Sequence, residues 1–306
     1  MKKLIILAIL IALCSAGSAN AAFKLNDYGL AARPLGMGGA FTAVSDDING
    51  LLWNTGGLGL ITKKEFTATY VNLYPQMSDA LSANFVGYAQ PVYGIGTFAA
   101  GWMSLIARDL YSENMAVVSY SRKVLPMLSA GVSFKYLSHT YLMTANNAFF
   151  QQYGNTKSNF TLDLGMKLNY LNRLYAGIMI SNLTQPDIGL YNKDIVPLDL
   201  RLGAAYKLGI NSSIIQSLTA AADFNVRDSI NYLNMGVELP FEIINLQVRG
   251  GLNMIDFKLM NLTCGAGYNF RFLNKNFIKL DYAFLFPLQM DVQIGGSHRL
   301  SLGLNF

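Results

Sequence analysis

His298-Arg299-Leu300-Ser301-Leu302-Gly303-Leu304-Asn305-Phe306 alternates strictly between polar and apolar positions. Successive side chains of an extended chain point to opposite faces, so Leu300, Leu302, Leu304 and Phe306 share one face and Arg299, Ser301, Gly303 and Asn305 the other. An apolar face this regular, set against small and charged groups, suits a strand with lipid outside and a wet interior. That reading makes the membrane the solvent of the fold.

The other end agrees. Met1-Lys2-Lys3 is followed by an apolar run from Leu4 to Cys14, and Ala19-Asn20-Ala21 forms a small-residue cleavage site. This pattern predicts an export signal over residues 1–21, with the mature chain beginning at Ala22. The run is too short to cross a bilayer as a helix, which needs about 20 residues.

Composition narrows the class. Without Lys2 and Lys3, 21 basic residues face 18 acidic ones, a balance too even for a nucleic-acid surface. Cys264 is the only cysteine beyond the predicted signal, so no intrachain disulfide can form. Mean hydropathy is +0.29 with 13% charged residues, yet no later stretch is apolar over the 18 residues that a transmembrane helix requires. Only helices and closed barrels satisfy the backbone in lipid, which leaves strands.

From Lys64 onward the sequence divides into fourteen segments of strand character, separated by turn chemistry. They span 64–74, 80–92, 94–107, 113–124, 128–142, 159–170, 174–184, 198–208, 217–227, 231–241, 244–254, 259–272, 276–286 and 297–306. Tyr and Phe recur at the ends of the apolar faces, as aromatic girdles at a membrane interface require. Even-numbered connections such as Leu125-Pro126-Met127 are tight, whereas the longest (Met143–Ser158, Gln185–Pro197, Pro287–Gly296) are all odd-numbered. The expected fold is an all-β, transmembrane antiparallel barrel of about 14 strands. Residues 63–306 would form the barrel, and residues 22–62 an N-terminal hatch or plug inside the lumen.

The expected plug does not alternate. It contains Gly36-Met37-Gly38-Gly39-Ala40-Phe41, where glycines suit close backbone packing. Ser45, Asp46 or Asp47 is positioned to cap a short helix through Leu51, Leu52 and Trp53, closed by Gly56 or Gly57. No strand precedes the glycines and no βαβ unit follows, which argues against a dinucleotide fingerprint. On inward faces, Lys135, Asp163, Lys167, Arg201, Lys207, Lys279 and Asp281 are candidate lumen charges. Asp163 with Lys167, Asp199 with Arg201, and Lys279 with Asp281 fall at spacings that let them balance one another or hold a ligand's carboxylate. His139 and His298 are the only histidines, too few for a His-based zinc site or triad chemistry. No enzyme activity and no cofactor or metal site is expected.

Arg33-Pro34-Leu35-Gly36-Met37-Gly38-Gly39-Ala40-Phe41-Thr42-Ala43-Val44-Ser45-Asp46-Asp47, followed by Leu51-Leu52-Trp53-Asn54-Thr55-Gly56-Gly57-Leu58, resembles the N-terminal signature of FadL-like outer-membrane proteins, nearest the PorV/PorQ group. The family pattern reads G-M-G-G-A-F-x-A-x-A-D-D and then N-P-A-G-L; here Thr55 stands for Pro and Gly56 for Ala. A chain ending on Phe306 likewise resembles the C-terminal insertion signal of bacterial outer-membrane barrels. The resemblance implies the bacterial outer membrane, a barrel of fourteen strands with a hatch, and the barrel-assembly machinery as a partner. It further implies passage of hydrophobic small molecules of fatty-acid or aromatic type. Gly36, Met37, Gly38, Gly39, Phe41, Trp53 and Asn54 then become hatch and ligand candidates, and Gly94 and Gly96 would weaken the wall at the third strand as an exit. An accessory barrel of type IX secretion, contacting secretion-system subunits, is the alternative, and a general diffusion porin the third.

Overall fold

The computed structural model describes residues 23, 30–73, 75, 81–142, 147–210, 212, 214–272, 276–289 and 296–306. The expected export signal and the first residues of the expected plug lie outside the described residues.

Fourteen antiparallel strands close on themselves, each beside its sequence neighbours, with the first against the last. They are β1 (Glu65–Asn72), β2 (Leu81–Val92), β3 (Gly96–Ala107), β4 (Tyr111–Leu125), β5 (Leu128–Tyr141), β6 (Thr156–Tyr170) and β7 (Leu174–Ser181). There follow β8 (Asp199–Gly209), β9 (Ser217–Arg227), β10 (Ile230–Phe241), β11 (Leu246–Ile255), β12 (Leu259–Phe272), β13 (Asn276–Pro287) and β14 (Ser297–Asn305). The seam runs in unbroken register from Glu65↔Asn305 to Asn72↔His298, so β1 and the C-terminal strand quoted above close the cylinder. Closure removes the unpaired edge that lipid would not tolerate.

Alternation sorts the two faces. In β6 Phe160, Leu162, Leu164 and Met166 are exposed while Thr161, Asp163 and Lys167 are buried. In β14 Leu300 and Leu302 are exposed, and Arg299 and Ser301 buried. An apolar exterior around a polar interior is the inverse of a soluble sandwich and identifies a membrane-spanning wall. Among the described residues, no helix is long and apolar enough to cross a membrane.

Both ends of the sheet, Glu65 and Asn305, lie at one mouth, which the short turns at 93–95, 126–127 and 171–173 mark as periplasmic. The opposite mouth carries the longest connections, 142–155, 182–198 and 288–296. Three connections on that same side, 108–110, 228–229 and 256–258, are equally tight, so loop length marks orientation only through its longest members. Gly94 and Gly96 do not weaken the wall. Both have positive φ, Gly94 in the β2–β3 turn and Gly96 as the first residue of β3, and β3 pairs continuously with both neighbours from there.

Residues 30–62 lie against the inward faces of the strands. Helix α1 (Ala32–Gly36) packs against β11 to β14, and a 3₁₀ segment (Thr55–Leu60) against β3 to β7. Helix α2 is only Gly50–Trp53, preceded by Asn49, whose side chain makes no capping hydrogen bond, and followed by Asn54. The expected capping is therefore displaced. Asp47 accepts a hydrogen bond from the Asn49 backbone N–H (2.9 Å), and Gly56 and Gly57 continue into the 3₁₀ segment.

Candidate functional site

A segment with so little regular structure must satisfy its backbone elsewhere, and inward side chains of the wall do this. Thr263 Oγ1 accepts from Gly38 N (3.0 Å), and Asp223 Oδ2 accepts from Phe41 N (2.8 Å) and Thr42 N (2.7 Å). Glu65 Oε2 accepts from Ile48 N (2.8 Å), and Ser121 Oγ donates to Gly56 O (3.2 Å). Asn54, fully buried, uses its whole amide. Its Nδ2 donates to Thr42 O and Met166 O (2.8 Å each), and its Oδ1 accepts from Gly56 N (3.0 Å). One side chain thus pins two stretches of the segment to β6.

Close approach needs wall positions without side chains. A Cβ on Gly165 would stand 2.5 Å from Asn54 Oδ1 and 2.8 Å from Gly56 N, and one on Gly251 would collide with Gly38 N. Of the predicted glycines, Gly38 (φ +67°) and Gly39 (φ +83°) occupy backbone that only glycine adopts freely, while Gly36 packs on Gly265.

Charges extend the attachment. Arg33 reaches Asp46 and Asp47 (2.6 Å each) within the segment and Glu238 of β10 (2.9 Å). Glu238 in turn binds Arg249 (2.6 Å), and Arg249 binds Asp281 (2.5 Å) across β12. The gap is bridged because Gly267 lies between them, and a Cβ there would meet both side chains. Asp281 is therefore not partnered by Lys279, which is half-buried near the periplasmic end of β13. Nor does Asp163 pair with Lys167: Asp163 binds Lys135 (2.5 Å), and Lys167 donates to the carbonyls of Val44 and Ser45. Asp199 and Arg201 do meet (2.6 Å). Lys207 is exposed at the periplasmic rim.

Above the segment, toward the long loops, lies a cavity of about 300 Å³. Trp53 and Leu52 of the segment, with Met103 and Met115 of β3 and β4, give it an apolar side. Gly38 and Gly39 form part of its floor, and Arg201, Arg227 and Arg299 stand among its polar residues. There too, Asn261 donates to Asn253 (2.8 Å) and Asn253 to Asn234 (2.6 Å), an amide chain across three strands. Phe41 and Met37 are fully buried behind this surface. Phe41 meets Trp53 edge-on at 6.1 Å and lies under Arg33 at 5.1 Å. At the mouth, helix α3 (Ala148–Tyr153) presents Phe149 and Tyr153, which pack with Tyr191 of the β7–β8 loop at 6.4 and 4.8 Å. All three rings remain exposed.

Sequence reasoning missed Met103, Met115 and the three asparagines. Their inward position was legible from alternation, but their convergence depends on barrel closure. Arg33 and Glu238 were also missed, although an arginine beside the glycine run was a usable signal. Among the described residues, no group of three His, Cys, Asp or Glu is placed to hold a metal ion.

No protein-family model matches the sequence, and no curated protein matches it. Solved structures do match in fold. The P. putida toluene transporter TodX has a TM-score of 0.62 at 12% identity, covering 90% of this chain and 96% of that one. The CymD monoaromatic hydrocarbon channel gives 0.59 at 12%, covering 93% and 98%. A Pseudomonas aeruginosa FadL homologue gives 0.54 at 13%, covering 90% and 98%. The chain thus has the fold of FadL-type channels of the bacterial outer membrane, with a wall that matches that compartment.

Proposed function

We propose that this protein passes hydrophobic small molecules, of fatty-acid or single-ring aromatic type, passively across the outer membrane, with residues 22–62 acting as its plug. The observation that carries this reading is the cavity between the inward-packed segment and the long-loop mouth, apolar on the side of Trp53, Leu52, Met103 and Met115. Ligand caught on the exposed Phe149, Tyr153 and Tyr191 rings would move down to this cavity, and a shift of the segment would release it. The continuous pairing of β3 gives no support to an exit through the wall there. Similarity in fold to a toluene transporter and a monoaromatic hydrocarbon channel is consistent with this reading.

The test is ligand binding by the purified full barrel. Trp53 borders the cavity, whereas Trp102 is exposed on the outer wall, so a Trp102→Phe variant isolates the lumen signal. Saturable quenching of Trp53 by toluene or a fatty acid, with apolar molecules identified by mass spectrometry in the purified protein, is the expected result. Secretion-system subunits captured by a barrel that binds no apolar ligand would replace this reading with the type IX accessory role. Steady ion conductance by the unmodified protein would replace it with a porin.

A further inference from the structure

Across β2 to β6 the outward face changes character in one step. Val86, Trp102, Ala116, Tyr136 and Phe160 pair strand to strand in a single row. All but Ala116 are large and exposed, while Phe85, Met103, Met115 and Leu137, one residue away, are buried in the lumen. Residues two apart share a face, so the next row toward the long-loop mouth also points outward. That row is Asn84, Ser104, Asn114, Ser138 and Ser158, again in direct register. Asn72 of β1 and His298 of β14, paired with each other on the face of the exposed Tyr70 and Leu300, carry the polar character across the seam.

The far side of the barrel does not repeat this. On β9, β11, β12 and β13 the outward position nearest the same mouth is Val226, Met254, Met260 and Phe286. Polar side chains on a lipid-facing wall are costly unless something outside meets them. The ladder already uses the backbone groups of these strands, so the amides of Asn72, Asn84 and Asn114 face what lies beyond the wall. Asn84 Nδ2 makes one long bond to Ser104 Oγ (3.4 Å). The row starts directly above Trp102 and Tyr136, ring positions that mark the membrane interface, and hence at the depth of lipid headgroups. It holds no charged side chain, only amides and hydroxyls that both donate and accept. Such groups match the hydroxyls of a sugar better than a phosphate, and the exposed Trp102 ring offers a flat apolar face beside them.

We infer that the outer face at Asn84, Ser104 and Asn114 is a binding site for the saccharide headgroup of a glycolipid in the outward-facing leaflet, with its acyl chains against the apolar row below. It is independent of the lumen and of what passes through it.

The experiment uses the full chain in a Trp53→Phe background, which leaves Trp102 as the only tryptophan. In bilayers of brominated phosphatidylcholine, a lipid that displaces the quencher from this face restores Trp102 fluorescence. A neutral diglucosyl diacylglycerol is the probe, and phosphatidylglycerol the charged comparison. Each hydrogen bond gained contributes about fivefold to affinity. The expected result is a preference for the glycolipid over phosphatidylcholine of roughly five- to twenty-fivefold at Trp102, with phosphatidylglycerol near one. Asn84→Leu with Asn114→Leu should bring the glycolipid value down to about one. A Phe224→Trp reporter on the outward face of β9, with Trp102→Phe added, should also read about one. Equal association of glycolipid and phosphatidylcholine, an equal preference for phosphatidylglycerol, a preference that survives the double substitution, or the same preference at residue 224 would each overturn the inference. Heat-dependent gel mobility shows separately that every variant forms the barrel.

Discussion

Replacing Asn54 with Ala removes the three hydrogen bonds that tie residues 42 and 56 to each other and to β6. Each buried hydrogen bond contributes about 1 kcal/mol net, so the attached state loses about 3 kcal/mol, a factor of roughly 150 in its ratio to detached states. The wall should be unaffected, since β6 pairs with β5 and β7 through backbone bonds that the substitution does not touch. The variant should therefore keep its heat-dependent gel shift, yet show faster proteinase K cleavage within 30–62 and frequent channel openings in planar bilayers. Asn54→Asp separates volume from chemistry. It preserves shape and the acceptor for Gly56 N, but points a carboxylate at two carbonyl oxygens, so it should detach the segment at least as strongly as Ala. If both variants show native cleavage rates and stay closed, Asn54 is not the anchor and the plug reading of this segment loses its support.

Three further outcomes are expected. Gly251→Ala, which on strand propensity alone should be harmless, places a Cβ against Gly38 N and should raise cleavage of the segment as Asn54→Ala does. Deleting Phe306 removes the reciprocal 3.0 Å backbone pair with Lys64 and the ring beneath its ammonium; membrane insertion measured by the gel shift should fall, whereas Trp53 quenching in the fraction that inserts should stay native. In the β7–β8 loop, the Asp187 carboxylate accepts from the backbone N–H groups of Asp194 and Gly189 (2.9 Å each), and these hydrogen bonds hold its pKa below the usual carboxylate range. A depressed pKa stabilises the loop above the unfolded value and is lost as pH falls through the folded one. Hydrogen exchange at those two amides should thus stay slow through about pH 4 and accelerate below it, a dependence that Asp187→Asn should abolish.

Strand positions were legible because lipid and a wet lumen impose opposite demands on alternate residues. The sixth, eighth, twelfth and last segments carry that period without a break, and their predicted limits lie within three residues of the observed strands. The ion pairs were less legible. Spacing along one strand suggested Asp163 with Lys167, yet in a sheet the nearest polar neighbours lie across strands, so Asp163 found Lys135 on β5 and Asp281 found Arg249 two strands away. Pairing across a glycine leaves no trace in linear spacing. The segment at 30–62 announced its glycines but not its anchors, since Asn54, Thr263 and Asp223 act on backbone groups whose positions only the closed wall defines.

The inward glycines also decide what sets the width of the pore. Ordinarily the inward side chains of a wall narrow a barrel, and changing them retunes its bore. Here the wall at Gly165, Gly203, Gly236 and Gly251 contributes little beyond backbone, and the segment fills the space that side chains would take. Under the plug role proposed above, selectivity at this level would reside in the segment, and each displacement of it would change the calibre of the passage as well as open it. In that role gate and sieve would be one piece of chain, so substitutions in residues 36–56 should alter which molecules pass and how often the path is open together, whereas substitutions on the outer wall should alter neither.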